Sequence, residues 1–210
     1  VAEARRYRFV RHAEATHQAP AWEPGARAGR DARLTARGER QAETLARTLA
    51  HEGVERVVSS SLVRAKQTAE RIAAASGAPY EHVWPELDEI APRKLLLQPP
   101  ARRRPEWWDG IACAYHVYRG RAGGPVDVAS VQARVRTVLA RLDALPERHV
   151  AVVGHGYWIL LMALIVPGPF RLKPIPNCSI TEVRVAKARH ELVGFAVRGP
   201  RTSEETNTDR

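Results

Sequence analysis

Apolar and polar positions alternate in short blocks along the chain, and the period of each block predicts its element. Tyr7, Phe9 and Val10 mark a first strand over about 6–10, followed by a loop rich in Gly, Pro and Ala. Residues 35 to 51 place Ala42, Leu45, Ala46 and Leu49 on one face of a helix, with Thr35 as N-cap and Gly53 as stop. VERVVSS (54–60) predicts a second strand, and 62–75 a second helix that carries Leu62, Ala65, Ala69, Ile72 and Ala73 inward and ends before Gly77. YEHVW (80–84) predicts a third strand, after which periodicity is lost among prolines, arginines and aromatics from Pro85 to Asp127. It returns over 130–145 with Val131, Val135, Val138, Leu139 and Leu142 on one helical face. HVAVV (149–153) is a continuously apolar strand, GHG interrupts it, and 158–164 reads as a buried helix. SITEVRVA and ELVGFAVRG, the last apolar runs, alternate as antiparallel or edge strands do.

Strands that alternate with helices predict an α/β fold: three layers, α/β/α, around a mainly parallel central sheet. One domain is expected over 1–198, with an irregular or helical cap inserted at about 90–128 and a disordered tail over 199–210. A chain of 210 residues buries a sizeable core without metals or disulfides to hold it together. Cys113 and Cys178 form no C-x-x-C pair, so reduced thiols are expected, and neither a metal nor a cofactor is called for. The longest apolar run, WILLMALIV at 158–166, is about half of what a bilayer requires. With a charged N-terminus lacking a signal core, this points to the cytoplasm and to no membrane partner.

The net charge of +10 favours an anionic partner. Only four of the 33 basic residues are lysines, a skew that weakens charge as an argument for nucleic acid. A small phosphorylated substrate is the expected partner, nucleic acid is not expected, and a homodimer is left open.

In open parallel sheets ligands bind beyond the carboxyl ends of the strands. Three polar clusters fall there: Arg11-His12 after the first strand, Ser59-Ser60 leading to Arg64 after the second, and Gly154-His155-Gly156 after HVAVV. Alone, a histidine after a strand is usually structural, and an arginine on a helix is usually solvated. Gly154 and Gly156 are read either as the end of a strand or as room for an oxyanion to approach backbone.

FVRHAE, LTARGERQAETLA, VVSSSLVRAKQTAERIA, PELDEI, VAVVGHG and PNCSIT, in this order, resemble the histidine phosphatase superfamily, the phosphoglycerate mutase-like fold, from about residue 7 to 185 outside the cap. The resemblance implies that His12 is a nucleophile attacking phosphorus and that Arg11, Arg64 and His155 surround the phosphoryl oxygens. Such a site suits phosphoryl transfer, which depends on positioning and on cationic donors around developing charge. Neighbouring cations should also lower the pKa of His12 and leave its attacking nitrogen unprotonated.

The family's acid stands in an L-x-E context, which falls on Leu87-Asp88-Glu89 and makes Glu89 the general acid and base, with Glu86 and Asp88 as substitutes. The family's usual glycine and W-E-G continuation is replaced here by IAPRKLLL. Gln18 occupies the position of a phosphate-side Asn, and Asn177 and Ser179 match supporting residues. Glu14 is expected to be structural. Trp107, Trp108, Tyr115 and Tyr118 are read as cap core or as a stacking surface for substrate, and Arg102 to Arg104 as a solvated run or a steering patch.

The expected activity is metal-independent hydrolysis of a small phosphomonoester through a phosphohistidine. The alternatives are a phosphoglycerate-type mutase, disfavoured because the RHGES-x-W-N form of the first motif is absent, and a non-catalytic basic binding module.

Overall fold

The computed structural model describes residues 4–18, 32–80, 82–90 and 127–197. The expected cap, apart from its ends, and the tail lie outside the described residues, with the cap aromatics and Arg102 to Arg104.

Six strands form one sheet in the order β3-β2-β4-β1-β5-β6, where β1 is Arg5–Arg11, β2 Arg56–Ser59, β3 His82–Val83, β4 His149–Gly154, β5 Ile180–Ala186 and β6 Arg189–Val197. The pairs β3-β2, β2-β4 and β4-β1 are parallel, whereas β1-β5 and β5-β6 are antiparallel. The late alternating runs thus extend a parallel centre on one edge, as their polarity predicts.

Period-two alternation sends each central strand's side chains to two separate cores. Tyr7, Phe9, Val58, Val150 and Val152 face α3 (Val128–Asp143) and α4 (Gly156–Ile165). Val10, Val57, Ala151 and Val153 face α1 (Ala36–His51) and α2 (Val63–Ser76). The result is the three-layer α/β/α arrangement. β4 is apolar throughout because it is central and covered on both faces. α4 lacks a polar stripe for the same reason: Trp158 to Ala163 are all buried, and each large apolar side chain removed from water contributes about 1.5–3 kcal/mol.

Boundaries move where caps decide them. α3 starts two residues ahead of the expected Ser130, because the Asp127 carboxylate accepts the Ala129 N–H at 3.1 Å. α4 begins directly after His155 rather than at Trp158. YEHVW yields only a two-residue strand, followed by a 3-10 turn over Pro85–Leu87.

The N-terminus of α1 grips the loop that follows β1. Thr35 caps the helix by accepting the Gly38 N–H at 2.9 Å and donates its hydroxyl proton to Glu14 Oε1 at 2.8 Å. Gln41 Oε1 accepts the Glu14 N–H at 3.1 Å. Glu14 is therefore a structural strut, as expected. Gly38 is required by space, since a Cβ there would run into the Glu14 carbonyl oxygen. Helix propensity alone favours Ala over Gly by about 1 kcal/mol. Crowding against backbone outweighs it, so Gly38→Ala should lower stability by about 1–3 kcal/mol in urea unfolding. A higher midpoint would show that α1 can step away from this loop.

Candidate active site

Three adjacent parallel strands, β2, β4 and β1, deliver their next residues to one place. Ser60 follows β2, His155 follows β4 and His12 follows β1, with β4 between the other two. The His12 and His155 ring centroids are 5.1 Å apart. Backbone bonds carry the register past the strand ends: the His12 N–H donates to Gly154 O at 3.0 Å, and the Ser60 N–H to Val153 O at 3.0 Å. Asn177 Nδ2 then holds the His12 carbonyl at 2.8 Å, so the backbone of His12 is tied on both sides.

His12 is buried, and its Nδ1 lies 2.7 Å from the Ala13 carbonyl oxygen. A carbonyl only accepts, which places the ring proton on Nδ1 and the lone pair on Nε2. Arg64 Nε donates toward that Nε2 at 3.2 Å. Burial first, then His155, Arg11 and Arg64, hold the His12 pKa well below its ordinary value. The imidazole is therefore neutral at pH 7, with a free electron pair facing a guanidinium.

His155 Nε2 is 2.7 Å from Ser60 Oγ. That oxygen also accepts the Leu62 N–H at 3.3 Å, and with a proton and a second lone pair it can pair with either tautomer of His155. Nδ1 is buried without a hydrogen-bond partner among the described residues, 3.9 Å from Glu89 Oε2. Burial and then Arg64, Arg11, His17 and Arg134 also push the His155 pKa well down.

Arg11 donates from Nη1 to the Ile175 carbonyl, while its Nε is buried and has no hydrogen-bond partner among the described residues. Gly156 lies against this guanidinium, 3.5 Å from Arg11 Nε to where a Cβ would stand, an ordinary contact that does not by itself demand glycine. Two buried nitrogens, Arg11 Nε and His155 Nδ1, thus lack a hydrogen-bond partner among the described residues, beside an electron pair on His12. A tetrahedral oxyanion supplies what such a set of donors lacks.

Three carboxylates share the segment 86–89, and each has a different environment. Glu86 pairs outward with Arg141 at 2.9 Å. Asp88 accepts both the N–H and the hydroxyl of Ser61, each at 2.7 Å, and so anchors the start of α2. Glu89 alone of the three approaches His155. A quarter of its side chain is exposed, and burial of the rest pushes its pKa up to about 7, against the pull of Arg11, Arg64 and the N–H groups of Ile90 and Trp158.

Gln18 stands in the turn after His12, beside Asn177. Its amide exchanges hydrogen bonds with Asn177 at 3.3 and 3.2 Å, and its Oε1 also accepts the Ala15 N–H at 3.2 Å. Ser179 is buried, its hydroxyl without a hydrogen-bond partner among the described residues.

Sequence reasoning passed over His17, an exposed residue whose ring lies 5.7 Å from that of His12. Burial of part of the ring, then Arg64 and Arg11, lower its pKa. It stands in a turn where no periodicity indicates which way a side chain points.

The sequence profile of the histidine phosphatase superfamily (branch 1) matches residues 8–198, and the chain belongs to that family. A protein of Salmonella paratyphi B named "Probable phosphoglycerate mutase GpmB" is 28% identical over 174 residues, 80% of each chain. Among solved structures, one named mycobacterial hydrolase 1 superposes with a TM-score of 0.68 at 25% identity, over 93% of this chain and 99% of that one. A mycobacterial glucosyl-3-phosphoglycerate phosphatase superposes with a TM-score of 0.65 at 22% identity, over 93% of this chain and all (100%) of the other. Among the described residues no helix is long and apolar enough to cross a membrane.

The elevated pKa of Glu89 has a consequence for stability. Between the unfolded value near 4.5 and the folded value near 7, the folded state binds the extra proton, so stability falls as pH rises through that window. Glu89→Gln keeps the shape of the neutral acid and removes the penalty. Its melting temperature should equal the wild-type value at pH 4.5 and exceed it at pH 8, and the reverse order would show that the carboxylate is stabilised as an ion.

Proposed function

We propose that the protein is a phosphatase that hydrolyses a small phosphomonoester through a phosphohistidine on His12. The observation that carries this reading is the state of His12: neutral, its Nδ1 bound to Ala13 O at 2.7 Å, its Nε2 electron pair next to two arginines. Substrate phosphate draws the Arg64 guanidinium away from Nε2 and accepts from Arg11 and His155 Nδ1. Nε2 attacks phosphorus, the P–N bond forms, the ester P–O bond breaks, and Glu89 gives its proton to the departing alkoxide. The Glu89 carboxylate then takes a proton from water, whose oxygen attacks phosphorus. The P–N bond breaks and orthophosphate leaves.

No metal or cofactor takes part in this route. The substrate is a small ester of the cytoplasm, such as a nucleotide, a sugar phosphate or a phosphorylated biosynthetic intermediate.

His12→Ala should abolish both turnover and acid-labile labelling of the protein by radioactive substrate, and EDTA should leave wild-type turnover unchanged. Turnover by His12→Ala at the wild-type rate would contradict the covalent route. Cleavage needs protonated Glu89 and neutral His12. kcat/KM should therefore hold level below about pH 7 and fall about tenfold per pH unit above it, following the pKa of Glu89.

Return of the phosphoryl group to substrate, a mutase reaction, is the second reading, and the name of the Salmonella relative favours it. Incubation with 3-phosphoglycerate separates the two. Free phosphate is the expected product, and accumulation of 2-phosphoglycerate would replace hydrolysis with transfer.

A further inference from the structure

We propose that Arg134, on α3, is a positioning residue for Glu89, fixing the turn from which the acid is presented; this rests on the acid role proposed for Glu89. Arg134 Nε and Nη2 both donate to the Glu86 carbonyl, at 3.1 and 2.8 Å, and Nη2 also reaches the Asp88 carbonyl. One planar guanidinium therefore spans the carbonyls three residues and one residue before Glu89. A flat fork with fixed donor directions does this, whereas an ammonium ion offers one charged point.

The turn needs such a clamp. It is a single 3-10 turn of three residues, without a side-chain cap at its start, and it follows a strand of only two. Trp158 Nε1 supports the Glu86 carbonyl from α4 at 2.7 Å, and Ser61 holds the Asp88 carboxylate from the other side. Arg134 contributes the bond to the backbone immediately before Glu89.

Its charge matters as well as its shape. Arg134 is electrostatically coupled to Asp88, Glu89 and Glu86 and also to His155, so it feels both partners of the contact at which the proton is held. Arg11 and Arg64, not Arg134, surround His12, so loss of Arg134 leaves phosphate binding in place.

The test compares two esters. An alkyl phosphate needs a proton on its leaving oxygen, and p-nitrophenyl phosphate leaves as a stable anion without one. Arg134→Gln and Arg134→Lys are assayed on both, with vanadate binding and thermal melting to confirm a folded site. Arg134→Gln should lower kcat/KM on the alkyl ester, which reports formation of the phosphohistidine and not its hydrolysis, by roughly 10–100-fold, within the range of general acid catalysis. On p-nitrophenyl phosphate the loss in kcat/KM should stay under about threefold, since departure of the phenolate needs little help from an acid. The alkaline limb of the alkyl kcat/KM profile should move to higher pH, because removing a cation near Glu89 favours its protonated form. Arg134→Lys keeps the charge without the fork and should restore that limb while leaving kcat/KM low. Equal losses on the two esters, or no loss on either, overturn the proposal. Glu89→Gln is the control for the underlying reading: if its own loss in kcat/KM does not depend on the leaving group, the acid role fails, independently of Arg134.

Discussion

The site depends on keeping one imidazole uncharged in a buried, cationic setting. His12 lies beside Arg11 and Arg64, and burial and those charges act in the same direction on its ring. Water would ordinarily solvate the two guanidiniums, and their removal from it costs several kcal/mol unless an anion compensates. Glu89 compensates incompletely, because its own burial favours the protonated form. A bound phosphoryl group would add negative charge beside both guanidiniums, where Glu89 supplies little. Any ligand that binds only the folded state raises stability by mass action, so the cost is recovered when substrate is present.

The sheet supplies the precision. β4 lies between β1 and β2, and in each of the three the key residue comes immediately after the last paired one. Antiparallel β5 adds the return path: the Cys178 N–H donates to Arg11 O at 3.0 Å, and Asn177 closes onto the His12 carbonyl. The same Asn177 binds Gln18, so the turn after His12 is fastened to the segment leading into β5. Groups anchored to paired backbone keep their separations without any ligand bound.

Most of this was readable in the residues because burial leaves a period. The inward faces of α1 and α2, the continuous apolar run of β4 and the alternation in β5 and β6 correspond to the elements the pattern predicts. Strand-end polar clusters pointed to His12, Arg64 and His155, which the fold brings together. Spacing could not separate Glu86, Asp88 and Glu89, because only the first lies in the 3-10 turn and the chain leaves that turn without a period that says where the other two point. The pairing of Gln18 with Asn177 joins residues 159 positions apart, so no local pattern shows it. Arg134 left no signal either. Its partners are backbone carbonyls 48 and 46 residues earlier, and carbonyls look alike in every sequence.

Glu89 must act as an acid in one half of the proposed reaction and as a base in the other, and the same surroundings favour both. Arg11 and Arg64 attract its ionised form, in opposition to burial. A phosphate dianion placed between them satisfies those cations and adds negative charge nearby, which drives the Glu89 pKa further up and loads it with a proton before attack. After the alkoxide has taken that proton, the phosphoryl group remains on His12, still negative and still occupying the arginines. A carboxylate left there is short of compensating charge, and water is the nearest source of a proton. Accepting it releases hydroxide character at phosphorus, so the electrostatic pressure that prepared the acid also drives the base.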